Sequence, residues 1–241
     1  MKRPLALILL ATAPGWAAIV RQAHAVGVPL TGYGQSMSAT LTNCSATHAY
    51  LVVVTVANYY YDATGVTVFS TSIPSGSWNH GSNWGADGGQ TLAFWYATST
   101  AISDSETVTV SNRENPSIFA ACYSGVSSTS PFDGEAGVTA SSWNASEQPG
   151  SISPAQNGDL IIVGSSYAGG GTMTVDTSFS VTDCANNTPY SIGGGMADLI
   201  QTNNAAVNPT VTWSNAGVFA VGIISFKPAA VATATGFALV M

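Results

Sequence analysis

Short apolar runs separated by Gly, Ser, Asn, Thr and Pro recur along the whole chain, and they predict a succession of β-strands. Residues Ala49–Ala57 are so uniformly apolar that we expect a central strand covered on both faces. The other predicted strands alternate bulky residues with small or polar ones, as half-buried strands do. They are Gly65–Ile73, Thr91–Ala97, Glu106–Ser111, Ser117–Tyr123, Gly137–Ser142, Asp159–Ser165, Thr172–Val175, Ser178–Thr182, Gly194–Thr202, Thr210–Ser214 and Val218–Phe226.

This rhythm, with no segment of helical period, predicts an all-β fold: two packed antiparallel sheets in a jelly-roll-like β-sandwich. Composition supports the prediction, because the 241 residues include only five basic and twelve acidic side chains, and helices need such residues on their solvent faces. The net charge is −7. So few cations cannot neutralise many phosphates, and we expect no nucleic-acid partner.

The first seventeen residues have the pattern of a secretory leader. Two basic residues and the apolar run Leu5–Ala13 precede a Pro-Gly break and the small residues Ala17 and Ala18. We therefore predict a signal peptide over residues 1–17 and one β-sandwich domain over residues 18–228. The run is too short for an integral membrane span, and the leader predicts a secreted or cell-surface protein.

Two alternatives to cleavage after Ala17 stay open. Ala23–Ala25 offers better A-x-A chemistry for cleavage after Ala25. In the other alternative, residues 1–17 are kept as an apolar arm and Ile19–Val28 is already the first strand, as suits a protein assembled into a virion.

The chain ends in an apolar tail over residues 229–241. Such a tail could add a strand to a neighbouring subunit, so we expect self-association or a surface or virion partner through it. The alternative is a loosely ordered end or the remnant of an anchor.

Three cysteines allow at most one internal disulfide. Cys122 lies in an apolar run and is interpreted as a small buried hydrophobe. Cys44 and Cys184 both lie in polar, turn-like sequence, so the predicted disulfide is Cys44–Cys184.

The candidate ligand-binding segment carries two tryptophans among polar residues. Exposed indoles beside amides suit sugar recognition through stacking and hydrogen bonds. The candidate residues are Trp78, Asn79, His80, Asn83, Trp84 and Asp87, with a glycan as partner. In the alternative interpretation, both indoles fold back and cover an open end of the sandwich.

We predict no enzyme and no cofactor. Nucleophilic catalysis needs a base, and the only histidines are His24, His48 and His80, none in a catalytic motif. The acidic residues lie mostly in turns, whereas glycoside hydrolysis needs two facing carboxyls. Asp133 with Glu135, or Asp183 with Asn186, offers oxygens to Ca²⁺, but without an EF-hand spacing.

Three segments carry a resemblance: Tyr123–Asp133, Ser151–Gly164 and the terminal Ile224–Lys227. They resemble a recurrent β-sandwich family of secreted and cell-surface bacterial proteins and phage structural proteins, over roughly Ile19–Lys227. The resemblance implies a fold and supplies no catalytic residue. The predicted function is a non-catalytic extracellular sandwich with a structural or adhesive role in a surface assembly. The alternatives are a virion surface protein, as a capsid decoration or tail module, and a carbohydrate-binding module.

Overall fold

The computed structural model describes residues 15, 17–27, 36–44, 51–59, 67–85, 89–100, 102–111, 117–176, 178–187 and 192–231. Within these ranges lie fourteen β-strands and one short 3₁₀ turn at Ser75–Ser77. The strands are β1 (Val20–Gly27), β2 (Met37–Thr42), β3 (Leu51–Tyr59), β4 (Thr67–Ser70), β5 (Asn79–Gly85), β6 (Gln90–Thr98), β7 (Ser105–Ser111), β8 (Ser117–Ser124), β9 (Phe132–Glu147), β10 (Leu160–Ala168), β11 (Met173–Val175), β12 (Ser180–Asn187), β13 (Ile192–Ile200) and β14 (Val211–Phe226).

The strands form three antiparallel sheets. The central sheet has the order β1-β8-β3-β6-β5, and the outer sheet has the order β2-β7-β4. The C-terminal sheet has the order β11-β14-β10-β13-β12, with β9 paired to β14 as well. The predicted all-β antiparallel sandwich is confirmed, and the outer sheet adds a layer that the two-sheet prediction lacked.

The central sheet is covered on both faces, as the apolar run in β3 predicts. Val52, Val54 and Val56 pack towards the outer sheet, whereas Leu51 and Val53 pack towards the C-terminal sheet. Because successive side chains of a strand point to opposite faces, a strand between two cores needs apolar residues at every position.

A third core lies on the far face of the C-terminal sheet. There the buried Trp213 stacks on Tyr167 with ring centroids 4.4 Å apart. The sheet curls around this core, because β11 and β12 approach each other. The Met173 amide donates to Cys184 Sγ at 3.3 Å, and Asn186 Nδ2 donates to the Gly171 carbonyl.

Strand boundaries differ from the predicted ones at several places, and two differences bear on the sites below. Thr210–Ser214 and Val218–Phe226 are predicted as separate strands, but the single sixteen-residue strand β14 contains all of them except Thr210. The candidate ligand-binding segment with two tryptophans, which lies in none of the predicted strands, contains β5, an edge strand that pairs with β6. Both segments contain bulges, in which polar and glycine residues interrupt the regular pairing. Their composition therefore resembles that of a turn.

The predicted Cys44–Cys184 disulfide is wrong. Cys44 bonds to Cys122, 78 residues away, with Cα atoms 6.1 Å apart. Both cysteines lie in the core between the outer and central sheets, where Cys44 follows β2 and Cys122 belongs to β8. Cys184 lies on β12 in the C-terminal sheet, on the opposite side of the central sheet, and is free. Burial raises the pKa of its thiol.

The N-terminal strand β1 begins at Val20, so cleavage after Ala25 would remove most of a strand that pairs with β8. Before β1, the Ala17 amide donates to the Ala229 carbonyl at 2.8 Å, and the Val231 amide donates to the Gly15 carbonyl at 2.9 Å. The rest of the predicted leader, and residues 232–241 of the predicted tail, lie outside the described residues. Across the described ranges, no helix is long and apolar enough to cross a membrane.

Candidate functional site

The predicted tryptophan site does not present exposed indoles. Trp78 is only 8% exposed and belongs to the core between the outer and central sheets, together with Ile73. The 3₁₀ turn at Ser75–Ser77, which follows Pro74, directs the chain back under the sheet edge before β5 begins. The prediction of an exposed ring is therefore wrong for Trp78.

Trp84 is half-buried and fills the other side of the central sheet. Its ring packs edge-on against Phe94, with centroids 5.7 Å apart, and lies directly over Gly137 of β9 and Gly222 of β14. A Cβ at either glycine would overlap the indole, so these two positions admit the ring only because they lack side chains. Both indoles therefore fold back onto the sandwich, as in the alternative interpretation.

The remaining candidates lie along the edge strand. Asn79 and His80 are exposed, Asn83 is half-buried, and Asp87 lies outside the described residues. His80 contacts the Trp95 ring, with centroids 4.4 Å apart. These residues share one edge of the molecule, but the indoles that would provide stacking platforms are turned away from it.

A carboxylate closes this edge. Glu135 of β9 accepts hydrogen bonds from the backbone amide of Ser82, at 2.9 Å to Oε2, and from the Ser82 hydroxyl. It joins the edges of the central and C-terminal sheets. Burial raises the pKa of Tyr96, and the charge of Glu135 raises it further. We therefore assign a structural role to Glu135.

A second polar seam closes the opposite edge. Arg21 of β1 donates to Asp198 Oδ1 at 2.7 Å and to Thr182 Oγ1 at 2.9 Å, and Tyr123 donates to Asp198 Oδ2 at 2.9 Å. Burial and then the Asp198 charge raise the pKa of Tyr123 well above its ordinary value. The seam joins β1 to β12 and β13, so one of the chain's few cations is used to hold sheets together.

Three of the four side chains considered for Ca²⁺ direct an oxygen to a nitrogen atom of the protein. Asp133 Oδ2 accepts from the Ala155 amide at 2.7 Å, and Glu135 binds Ser82 as described. Asp183 Oδ2 lies 2.9 Å from His24 Nδ1. Asn186 Nδ2 donates to the Gly171 carbonyl, so the four side chains of the two pairs have four different partners in the fold.

Asp133 instead takes part in a buried carboxyl pair. Asp159, which precedes β10, is fully buried, and its carboxyl interacts with that of Asp133. Burial raises the pKa of Asp159 to about 7, and the hydrogen bond and charge of Asp133 contribute, while Lys227 and Gln156 oppose them. The pair joins the start of β9 to the start of β10, and Lys227, which follows β14, lies 4.0 Å from Asp133 Oδ1.

An exposed aromatic ring that sequence reasoning missed lies on β9. Trp143 is 70% exposed, whereas Trp78 and Trp213 are buried and Trp84 and Trp95 are half-buried. An indole normally contributes its large apolar surface to a core, so its exposure on a strand marks a contact surface.

Two consecutive bulges in the ladder between β9 and β14 produce this exposure. Phe219 and Gly217 pair with Ala140 and Asn144, so three residues of β9, ending in Trp143, lie opposite a single residue of β14. Bulges are common at sheet edges and next to functional sites, where they redirect a side chain.

The second bulge has the opposite sense. Gly217 and Thr212 pair with Asn144 and Ser146, so four residues of β14, beginning with Trp213, lie opposite one residue of β9. Trp213, among the extra residues of β14, lies in the third core. Trp143, among the extra residues of β9, points to solvent.

Polar groups flank the exposed ring. Asn144 Nδ2 donates to Ser142 Oγ at 3.2 Å, and the exposed Asn215 donates to the Gly170 carbonyl at 2.8 Å. Among the described residues β9 pairs with β14 alone, so its second edge has no strand partner beside Trp143. We call Ser142, Trp143, Asn144 and Asn215 the bulge surface.

Comparison with known proteins adds no assignment, because no protein-family model matches the chain and no curated protein or solved structure matches it significantly. The bulge surface is therefore interpreted from its geometry.

Proposed function

We propose that this protein is an exported, non-catalytic β-sandwich with an adhesive role, and that it adheres through the bulge surface. The exposure of Trp143 on the paired bulges is the observation that carries the proposal. An indole exposed on a rigid sheet offers a large contact area at low cost in conformational entropy. Its neighbours are amides and hydroxyls, which favour an uncharged target.

Export is supported by the covalent chemistry of the core. The Cys44–Cys122 disulfide is buried between two sheets, and structural disulfides persist in oxidising compartments. Arg21 and Lys227 each lie within 4.0 Å of a carboxylate, which favours an uncharged target over an anionic one.

Retention on insoluble polymers tests adhesion. Purified protein is incubated with microcrystalline cellulose, chitin and polystyrene beads, and the bound fraction is measured after centrifugation. We expect retention on at least one polymer, and about tenfold weaker partitioning for Trp143→Ala. Phe69→Ala, which removes a 40% exposed ring from the outer sheet, is the matched control and should bind normally. Equal retention of Trp143→Ala and wild type would contradict the proposal.

The intact mass of the protein from its native source tests export. A chain that begins at Ala18 and lacks two hydrogens, from one disulfide, is the expected result. A mass that retains Met1 would contradict export through the predicted leader and would favour the virion alternative.

A further inference from the structure

A groove lies at the end of the C-terminal sheet, between the turn that follows β11 and the segment that precedes β14. It has a volume of about 480 Å³, within the range of ligand sites. A second hollow of about 380 Å³ shares the residues Ile200–Thr202 with it and continues to Ala17–Ile19. We call these two hollows, which share the lining residues Ile200–Thr202, the depression.

The polar lining is held in place from behind. Asp176 Oδ2 accepts a hydrogen bond from the Thr210 amide at 3.0 Å, and Asn208 Oδ1 accepts one from the Gly150 amide at 3.1 Å. Each side chain is oriented by a backbone donor, and no other described residue forms a hydrogen bond with the second carboxylate oxygen of Asp176 or the amide group of Asn208. Oriented polar groups bind a ligand with little loss of entropy.

Gln201 lines both hollows and is 7% exposed. Its Nε2 donates to the Ala205 carbonyl at 2.8 Å and to Asn203 Oδ1 at 3.3 Å. Its Oε1 is buried and receives no hydrogen bond from the described residues. A buried acceptor without a donor is unfavourable, so a rotation of the Gln201 side chain towards the groove, where a ligand hydroxyl would donate to Oε1, is favoured on binding.

The walls combine an apolar surface with a strained turn. Phe179 is half-buried and Ile200 is 40% exposed, so each offers apolar surface to the face of a ring. Ser178 adopts a φ of 92°, which a non-glycine residue rarely does. Backbone strain of this kind is concentrated at ligand sites.

The described lining of the two hollows contains no Lys, Arg or His, and its only charged group is Asp176. An anionic ligand would be repelled, whereas a neutral molecule rich in hydroxyls could donate to the carboxylate, accept from the amides and lay its apolar ring face on the wall. We propose that this depression binds a neutral oligosaccharide, with Asp176, Gln201 and Asn208 as its polar contacts. The site is separate from the bulge surface and does not rest on adhesion.

Saturation-transfer NMR on the full chain tests this site. The probes are cellobiose, maltose, lactose, xylobiose and chitobiose, with a sulfated heparin disaccharide as the anionic comparison. We expect transfer to at least one neutral disaccharide and none to the anionic one. Ala206→Trp, which fills the groove from an exposed position, should weaken binding about tenfold or more. Ala216→Trp adds the same ring at an exposed position outside the groove and should leave binding unchanged.

Thr202→Trp blocks the depression from the shared residues and replaces Ala206→Trp if that variant does not fold. Absence of transfer to every neutral probe would overturn the proposal, as would binding that both blocking variants retain. Trp143→Ala should bind the disaccharide normally. Loss of binding in Trp143→Ala but not in Ala206→Trp would overturn the groove site while supporting the adhesive surface.

Discussion

The tripeptide Ser-Trp-Asn occurs twice in this chain, at residues 77–79 and 142–144, in two edge segments of the same sandwich. Trp78 is buried between the outer and central sheets, and Trp143 is 70% exposed. The local sequence is the same, so it does not determine exposure. The surroundings determine it. A 3₁₀ turn precedes Trp78, which the outer sheet covers, whereas a bulge directs Trp143 to solvent.

The largest expected effect is a difference in the free energy of unfolding between variants of Trp78 and Trp143. Trp78→Ala should lower the free energy of unfolding by about 3–5 kcal/mol, because it leaves a large cavity in a core. Trp143→Ala should change it by less than about 0.5 kcal/mol. Urea unfolding followed by circular dichroism measures both. Similar losses for the two variants would end the distinction between a structural and a surface indole.

The Cys44–Cys122 disulfide lies in the same core as Trp78. Its removal should lower the free energy of unfolding nearly as much. Replacing Cys44 and Cys122 together by Ser should cost about 2–5 kcal/mol, since the bond closes a loop of 78 residues. Cys184→Ser is the control and should cost within about 1 kcal/mol. Unfolding with and without reductant checks the effect, and a reductant-insensitive wild type would contradict the observed pairing.

The contact between Trp84 and Gly137 of β9 should have an intermediate effect on stability. Gly137→Ala should cost about 1–3 kcal/mol, because the added methyl group would overlap the indole. Gly134→Ala, where the nearest atom to the new Cβ is 3.9 Å away, should cost less. In a Trp84→Leu background the cost of Gly137→Ala should shrink. Additive costs would show that the ring does not lie over this glycine.

The carboxyl pair at the start of β9 predicts a pH effect of similar size. The pKa of Asp159 rises to about 7 in the folded state, above its unfolded value of about 4, so the folded state holds an extra proton between these values. Stability should therefore fall as the pH rises from about 4 to about 7, by roughly 2–4 kcal/mol, since three pKa units correspond to at most about 4 kcal/mol, and stay level above.

Asp159→Asn should remove this fall, because the amide cannot ionise, and should unfold at higher urea than wild type at about pH 8. Urea midpoints from about pH 4 to pH 8 measure the slope. An equal slope in wild type and variant would show that Asp159 titrates normally.

The sequence predicted the class of the fold because strand periodicity is a local property. The apolar residues of β3 had to be covered on both faces, and they are. The disulfide could not be predicted in this way, since it depends on the outer sheet bringing Cys44 over Cys122. Trp143 was missed for the same reason: the bulges that expose it arise from the register between β9 and β14, residues far apart in sequence.

Oxidative footprinting of the tryptophans tests the central claim most directly. The free protein is oxidised briefly, with and without the polymer that retains it, and each tryptophan-bearing peptide is quantified by mass spectrometry. We predict that Trp143 is oxidised faster than Trp78, Trp84 and Trp213 in the free protein and is protected when the protein is bound. Slow oxidation of free Trp143, or equal oxidation in the bound state, would contradict adhesion through the bulge surface.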